Sequence, residues 1–185
     1  MTDPVSHADA ADLATRFPRL FAPQRWEWGN LDTQFSLDLP PEDLVSNVHV
    51  LARTDGGLVL CRNDLGWRFL PGGTREPDET VEETARRELL EEAGARLDGP
   101  LRWIGASRAD HHSPEPYRPH LPFPVSYWLC AVAEVSLVAA PSNPPDGEQV
   151  VEVLTLPPAE AADWLGEYDV PMAELVRLAS ELALL

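Results

Sequence analysis

The sequence predicts an α/β fold in which helices flank a mixed β-sheet. Short apolar segments rich in β-branched and aromatic residues alternate along the chain with amphipathic segments of helical periodicity, and this order is typical of helices packed on a mixed sheet. A hydrophobic content of 44% excludes an intrinsically disordered chain. With 185 residues, the chain is long enough to bury a core without disulfides or a structural metal.

Turn residues and prolines set the boundaries of the predicted elements. Strands are predicted at 46–53, 57–62, 66–70, 101–107, 125–138 and 150–156. Helices are predicted at 80–93, 159–165 and 171–184. For the first of these, Thr80 with Glu83 predicts a capping box at the start, and Gly94 predicts the end. Clustered prolines predict loops at 109–124 and around 141–145, because proline cannot continue a helix or a central strand.

The N-terminal segment contains a predicted hairpin. Trp26 and Trp28 alternate around Glu27, which puts both indoles on one face of a strand, and a Gly29-Asn30 turn follows. Such a hairpin has three candidate roles: it packs on the domain, it lines a ligand pocket by base stacking, or it forms the contact of a homodimer.

Charge and composition exclude several classes of partner. The chain has 31 acidic residues and 14 basic ones, all arginine, and a net charge of −17. A surface this acidic repels duplex phosphate and anionic lipid, so neither a nucleic acid duplex nor a membrane is expected as partner. Cys61 and Cys130 lie in apolar runs and are predicted to be buried free thiols. No signal peptide is recognisable, so a cytoplasmic protein is expected, and the lack of lysine favours a GC-rich bacterial genome.

Three carboxylates in the predicted helix 80–93 break the rules of helix stability. Glu88, Glu91 and Glu92 lie beside the apolar arc of the helix, repel one another at i, i+3 and i, i+4 spacing, and approach the negative end of the helix dipole. Two interpretations stay open, a solvated acidic face and a metal site. If a metal binds, Mg²⁺ suits the hard oxygen ligands best, and Gly72 or Gly73 offers a backbone carbonyl.

The same residues resemble a known signature. Gly73, five residues, Glu79, seven residues and the run Arg87-Glu88-Leu89-Leu90-Glu91-Glu92-Ala93-Gly94-Ala95 resemble the 23-residue Nudix box of hydrolases that act on nucleoside diphosphates linked to another moiety. Every specified position agrees, although Ala95 is smaller than the usual aliphatic residue. The preceding stretch 66–72 also resembles the family's usual approach to this box.

The resemblance implies a fold, a reaction and a set of roles. It implies an α/β/α sandwich and Mg²⁺- or Mn²⁺-dependent hydrolysis of a pyrophosphate bond in a small nucleotide or other diphosphate. Glu88, Glu91 and Glu92 would hold the metal with a carbonyl at Gly72 or Gly73, while Arg87 and Glu79 would orient the carboxylates. The general base would be Glu88 or a downstream glutamate, for which Glu148 is the first candidate and Glu152 the second.

Substrate-binding residues are expected outside the box. Arg62, at the end of a predicted strand, could clamp a phosphate. In the predicted loop 109–124, a base or a phosphate could be contacted by Tyr117, Arg118 and His120. The three histidines of that loop leave a histidine metal site open as a competing interpretation.

The sequence therefore predicts residues 1–45 as an N-terminal extension, 46–170 as a Nudix hydrolase domain and 171–185 as a C-terminal helix packed on it. The leading hypothesis is a hydrolase of phosphoanhydride bonds. The alternative is a Nudix fold that senses nucleotides without catalysis, although the intact box argues against it. A third hypothesis is a protein-interaction module, which requires an exposed apolar face around Phe17, Leu20 and Phe21.

Overall fold

The computed structural model describes residues 7–144 and 149–185. Its strands are β1 (Gln24–Trp26), β2 (Leu31–Ser36), β3 (Val45–Thr54), β4 (Gly57–Asn63), β5 (Arg68–Phe69), β6 (Gly72–Thr74), β7 (Ala95–Leu97), β8 (Arg102–His111), β9 (Val125–Leu137) and β10 (Val150–Leu156). Its helices are α1 (His7–Arg16), α2 (Pro18–Phe21), α3 (Val81–Ala93), α4 (Pro158–Gly166) and α5 (Val170–Glu181).

A mixed sheet organises the molecule. Its strands follow the order β1-β2-β8-β9-β3-β4-β10, and the short strands β5, β6 and β7 pair with β4, β3 and β9. The central pair β3 and β9 is parallel, whereas the neighbouring pairs are antiparallel. The predicted α/β class with a mixed sheet is confirmed.

Helices cover both faces of this sheet. On one face, Leu51 and Leu60 are buried in a core shared with α1, α2, α4 and α5. On the other face, Val48 and Val50 are buried against Leu89 and its neighbours in α3. Because side chains alternate along β3, its consecutive residues pack into the two cores in turn. Helix α3 packs against the centre of the sheet.

Helix α3 has the ends that the sequence predicts. The Thr80 hydroxyl accepts the backbone N–H of Glu83 at 3.2 Å, and the Glu83 carboxylate accepts the backbone N–H of Thr80 at 2.8 Å, which completes the capping box. Gly94 ends the helix in the left-handed conformation with φ 60°. A Cβ at Gly94 would also lie 2.1 Å from the carbonyl oxygen of Ala139.

Two predicted boundaries are wrong. The strand expected at 66–70 is reduced to Arg68–Phe69, because Asn63 Oδ1 accepts the backbone N–H groups of Leu65 and Trp67 and holds a turn there. The loop expected at 109–124 begins later, because β8 continues to His111 in register with Leu31 of β2. The short elements β6, β7, α1 and α2 were not predicted.

The N-terminal segment belongs to the same sheet. β1 and β2 form a hairpin, and β2 attaches it to β8. The prediction that Trp28 shares a strand with Trp26 is wrong, since β1 ends at Trp26 and Trp28 is exposed in the turn. The Trp26 ring packs edge-on against Trp128, with 4.8 Å between ring centroids. The hairpin therefore packs on the domain.

The apolar residues of α1 and α2 are not available to a partner. Phe17 and Leu20 are buried in the core that contains α5, and the Phe21 ring packs against Phe35 with 5.3 Å between centroids. The exposed apolar face that an interaction module would need is therefore absent at these residues, which corrects that hypothesis. Cys61 and Cys130 are buried free thiols, as predicted. Among the described residues, no helix has the length and apolar character that a membrane span needs.

Candidate active site

The second half of α3 faces the strand β6, and together they form the candidate site. β6 pairs with β3, with Gly73 opposite Val48. The backbone N–H of Gly72 donates to Glu92 Oε2 at 2.8 Å, which ties the helix to the strand. Glu88 and Glu92 are only 8% and 6% exposed. These two carboxylates are therefore part of the helix–sheet contact and do not form a solvated face.

Arg87 lies at the centre of the carboxylates and uses all three guanidinium nitrogens. Its Nε and Nη2 donate to the two oxygens of Glu79 at 2.8 and 3.1 Å. Its Nη1 donates to Glu88 at 2.9 Å and to Glu91 at 3.1 Å. Nη2 also donates to the carbonyl oxygen of Thr74 at 2.9 Å. One side chain thus fixes the positions of three carboxylates and of β6.

Glu79 holds this arginine from the loop that precedes α3. Its Oε2 also accepts the backbone N–H of Glu76 at 2.9 Å and the hydroxyl of Thr84 at 3.0 Å. Partial burial opposes ionisation of Glu79, but hydrogen bonds from Arg87, Glu76 and Thr84 outweigh it and hold its pKa below the ordinary value. Glu79 is therefore a stable anionic partner for the guanidinium.

Burial and charge act in opposite ways on Glu88 and Arg87. Burial raises the pKa of Glu88, and the neighbouring Arg87 only partly offsets it. Burial alone would lower the pKa of Arg87, but hydrogen bonds and charges of Glu79 and Glu88 raise it well above its ordinary value. When ionised, Glu79, Glu88, Glu91 and Glu92 against one guanidinium (four negative, one positive) carry a formal charge of −3. The cluster attracts a cation.

The carboxylates form the floor of an open cleft of about 700 Å³. The residues that line it come from the β4–β5 turn, from β6 and the following loop, from α3, from the loop before β9 and from both sides of the segment 145–148. They are Asn63, Asp64, Leu65, Trp67, Gly72, Gly73, Thr74, Glu76, Arg87, Glu88, Glu91, Glu92, Arg118, Pro144 and Gln149.

The donor set of this floor fits a divalent cation. A Cβ at Gly73 would lie 2.2 Å from Glu88 Oε1, so the glycine lets the carboxylate lie directly beside the backbone. In the ranges 7–144 and 149–185, no three His, Cys, Asp or Glu side chains are already gathered as a metal cluster. Instead, Arg87 Nη1 lies between Glu88 and Glu91. The hard oxygen donors suit Mg²⁺ or Mn²⁺, provided that the carboxylates turn from the guanidinium toward the ion.

A protein-family model described as the NUDIX domain matches residues 43–178 of this chain. The chain belongs to the Nudix family. The matched range contains α3, β6 and almost the whole sheet, and the first strands β1 and β2 lie before it. The predicted family and its helix-flanked sheet are confirmed.

Relatives and solved structures agree with this assignment. The chain is 42% identical over 69 residues to the putative 8-oxo-dGTP diphosphatase YtkD of Bacillus subtilis, which covers 37% of this chain and 42% of that protein. It is 45% identical over 60 residues to a MutT-like protein of Streptomyces ambofaciens, 32% of this chain and 39% of that protein. The chain thus spans about two fifths of these curated relatives.

A crystal structure of the Bacillus subtilis pyrophosphohydrolase BsRppH has a TM-score of 0.53 to this chain at 22% identity. The match covers 72% of this chain and 76% of that one. At this identity the likeness shows the shared fold.

Of the residues predicted to bind substrate, Arg118 lines the cleft of the Nudix domain and Arg62 does not. Arg118 forms an ion pair with Glu76, which also lines the cleft. Tyr117 is 76% exposed, and its ring centroid lies 5.7 Å from the Arg118 guanidinium carbon. Arg62 donates to Glu152 at 2.7 Å on the β4–β10 pair, so these two side chains neutralise each other beside the cleft.

Glu148 lies outside the described residues. Pro144 and Gln149, which flank the segment 145–148, both line the cleft. The three loop histidines diverge: His111 pairs with Ser126, His112 with Asp32 and His120 with the carbonyl oxygen of Arg75. The structure does not gather these histidines at one point.

Leu65, Trp67 and Glu76 are among the cleft-lining residues that sequence reasoning missed. Glu76 lies within the Nudix box but at a position that the signature leaves free, and its partner Arg118 is 42 residues away. Leu65 and Trp67 carried a signal, because two large apolar side chains flank the glycine of a short polar turn.

A larger depression of about 820 Å³ lies at the other end of α3, where Leu39, Trp103 and Val81 are among its lining residues. Its charged groups already have local tasks. Glu83 belongs to the capping box, and Glu82 pairs with Arg86 at 2.6 Å. The smaller cleft, with its buried carboxylates, is therefore the better candidate for the active site.

Proposed function

We propose that this chain is a Mg²⁺-dependent hydrolase that cleaves the phosphoanhydride bond of a nucleoside diphosphate linked to another moiety. The observation that carries the proposal is that Glu88 and Glu91, bound to Arg87, and Glu92, bound to the Gly72 N–H, lie together at the floor of an open cleft. The acidic floor would bind phosphate through a cation and would repel bare phosphate, which reconciles the charge of −17 with a phosphorylated substrate.

Glu88, Glu91 and Glu92, with the backbone carbonyl of Gly73, would hold the cation, and Mn²⁺ would suit the same oxygens. A bound divalent ion would activate water and neutralise charge on the phosphoryl oxygens. Gly73 lies beside Glu88 because no side chain separates them.

The chain's own residues would position the carboxylates and move the proton. Arg87, held by both oxygens of Glu79, would keep Glu88 and Glu91 on one side of α3 until the cation takes its place. Glu88 would accept the proton of the attacking water at a carboxylate oxygen. Glu148 is the alternative to Glu88 as the base, because both described neighbours of its segment line the cleft.

Arg118 would bind a substrate phosphate after release from Glu76, and Tyr117 would follow it as part of the same loop. Arg62 would contribute only if Glu152 turned away from it. The name of the YtkD relative, a putative 8-oxo-dGTP diphosphatase, supports a nucleotide substrate and hydrolysis of a diphosphate. The proposed partner is therefore a small molecule.

The test is hydrolysis of a substrate panel by the full chain. The panel contains ADP-ribose, nucleoside diphosphate sugars, dinucleoside polyphosphates and nucleoside triphosphates, each with Mg²⁺, with Mn²⁺ and with EDTA. We expect a phosphomonoester product with Mg²⁺ or Mn²⁺ and no product with EDTA. Glu91→Gln should lower kcat/KM by about 100-fold, since a metal ligand contributes several kcal/mol to transition-state stabilisation.

The matched control is Glu82→Gln, which changes an exposed glutamate of the same helix that pairs with Arg86. We expect its activity to stay within about twofold of the unaltered protein. Equal activity of the two variants would contradict the metal role of Glu91, and turnover that survives EDTA would contradict metal dependence. Tight binding of a nucleotide without any turnover would instead support the alternative, a non-catalytic sensor.

A further inference from the structure

Two large apolar side chains stand at the rim of the cleft without a place in the core. Leu65 is 71% exposed and Trp67 is 47% exposed, and both line the same cleft as the carboxylates. Neither belongs to the two hydrophobic cores that the described residues form. Two large apolar side chains exposed at the edge of one polar cleft offer an apolar surface to a ligand bound there.

The turn that carries Trp67 is held rigidly. Asn63 Oδ1 accepts the backbone N–H of Leu65 at 3.1 Å and that of Trp67 at 2.9 Å. The Asn63 N–H donates to the carbonyl oxygen of Trp67 at 3.1 Å, and the N–H of Gly66 donates to the carbonyl oxygen of Asn63 at 3.0 Å. Asn63 itself is buried at the end of β4. The indole is therefore presented by a fixed backbone, which lowers the entropic cost of binding a ligand against it.

The walls of the cleft differ in chemistry. The floor is acidic and suits a cation with phosphate, and the wall formed by the Glu76 and Arg118 ion pair is charged as well. Trp67 and Leu65 form the only apolar rim among the cleft-lining residues that the structure describes, apart from Pro144. A substrate with phosphates over the floor would therefore have its uncharged, flat part at the Trp67 rim.

We propose that Trp67 is the stacking surface for the nucleobase of the substrate. This inference rests on the proposed function, because it takes the phosphates to lie over Glu88 and Glu91. Base stacking on an aromatic side chain tolerates every base, since each base has a π face. Stacking on Trp67 would thus give the site a higher affinity for nucleotides than for diphosphates without a base. Selection among the bases would depend on other contacts.

The experiment measures binding of nucleoside monophosphates by the full chain in Mg²⁺. AMP, GMP, CMP and UMP are the base-containing probes, and ribose 5-phosphate is the probe without a base. The variants are Trp67→Ala, Trp67→Phe and the matched control Trp28→Ala, which removes another exposed indole far along the sheet in the β1–β2 turn. Calorimetry gives the affinities, and tryptophan fluorescence reports quenching of an indole by a stacked base.

We expect Trp67→Ala to weaken nucleoside monophosphate binding by about tenfold and Trp67→Phe by about threefold or less, because a phenyl ring still stacks. Trp28→Ala should bind as the unaltered protein does. Ribose 5-phosphate should bind all four proteins equally. In hydrolysis assays the loss should appear in KM for nucleotide substrates and leave kcat nearly unchanged.

Several outcomes would overturn the inference. These are equal nucleotide affinity of Trp67→Ala and Trp28→Ala, an equal loss of ribose 5-phosphate binding in Trp67→Ala, and no preference of the unaltered protein for AMP over ribose 5-phosphate. A change in oligomeric state alone would also overturn it, because the rim would then bind a second copy. Nucleotide hydrolysis with a KM that Trp67→Ala leaves unchanged would refute this inference alone, whereas stacking without any hydrolysis would refute the proposed function alone.

Discussion

The two halves of α3 use their charged residues for different ends. In the first half, Thr80 and Glu83 close a capping box, and Glu82 pairs with Arg86 along the helix surface. All these contacts are local, and each favours the helix. In the second half, Glu88 and Glu91 repel each other and are balanced by Arg87, which Glu79 holds from outside the helix. Local rules thus account for the first half, whereas the charged groups of the second half depend on a partner outside the helix.

The pKa values of two glutamates on this helix express the same difference. Hydrogen bonds from the Thr80 backbone and hydroxyl lower the pKa of the exposed Glu83. Burial raises the pKa of Glu88 despite its arginine neighbour. The first half of the helix therefore stabilises the negative charge of Glu83. In the second half, the fold alone disfavours the negative charge of Glu88, which a bound cation would stabilise.

The largest expected effect comes from Arg87, which joins the second half to its surroundings. Arg87→Met would leave Glu79, Glu88 and Glu91 without their shared donor. Because hydrogen bonds to charged groups contribute about 1.5–3 kcal/mol, we expect an unfolding free energy lower by about 2 kcal/mol. The misplaced carboxylates should also lower kcat/KM by about 100-fold. Urea denaturation and steady-state kinetics measure the two losses.

Arg86→Met is the matched control, because Arg86 is the preceding residue and, within the described part of the chain, its guanidinium pairs with Glu82 alone in an exposed ion pair. We expect it to cost about 0.5 kcal/mol or less and to leave kcat/KM unchanged. If both arginine variants lose the same stability and activity, the two halves of α3 do not differ in the way described.

A smaller effect is expected when the space beside Glu88 is filled. The Cβ of Gly73→Ala would lie 2.2 Å from Glu88 Oε1, so the carboxylate must move, although its end is flexible enough to do so. We expect kcat/KM to fall by about tenfold and the unfolding free energy to change by about 1 kcal/mol or less. Kinetics at saturating Mg²⁺ and thermal unfolding check this.

Gly99→Ala is the control, because a Cβ there meets nothing closer than 4.0 Å. If Gly73→Ala retains full activity, the close approach of β6 to Glu88 does not matter for the reaction.

The first half of α3 should respond in stability and not in activity. Thr80→Ala removes the hydroxyl that accepts the Glu83 N–H, and loss of an N-cap costs about 1 kcal/mol. We expect kcat/KM to change less than twofold. Thr15→Ala, which removes an exposed hydroxyl bonded within α1, serves as control. A large loss of activity in Thr80→Ala would show that the capping box also positions the carboxylates.

The same contrast explains how much could be predicted from the sequence. The capping box, Gly94 and the apolar arc of α3 are local patterns, and the structure has them as predicted. The roles of Glu79 and Arg87 could be predicted only from the resemblance to the family signature, because the spacing of the two residues does not by itself indicate that they pair. The Arg118 contact with Glu76 joins residues 42 positions apart, and no local pattern encodes such a pair.

The wrong boundaries have the same origin. Residues 66–70 have strand composition, but Asn63 uses its side chain to cap the turn and shortens β5 to Arg68–Phe69. His111 lies in a region rich in proline, yet pairing with β2 extends β8 to this residue. In both places a contact that is specific to the folded chain overrides the local preference.

The smallest expected effect is on the pH dependence of stability, to which the charges of Glu83 and Glu88 should contribute with opposite signs. Glu83 has a folded pKa below its ordinary 4.5, so its charge stabilises the fold above pH 4.5, and this contribution is lost as the pH falls through the folded value. Glu88 has a folded pKa above 4.5, so its charge destabilises the metal-free fold once the pH rises past that value, and the penalty is absent at pH below 4.5. Glutamine mimics the protonated form of each.

In EDTA at pH 7, Glu83→Gln should therefore lower the thermal midpoint and Glu88→Gln should raise it, while near pH 4 both differences should shrink. With Mg²⁺ the sign for Glu88→Gln should reverse, because the unaltered protein then gains the binding energy of the ion and the variant loses a ligand. Shifts of the same sign in EDTA would mean that the two halves of α3 treat their charges alike. If Glu88→Gln raises the thermal midpoint equally with and without Mg²⁺, the buried charge of Glu88 does not serve to bind a cation.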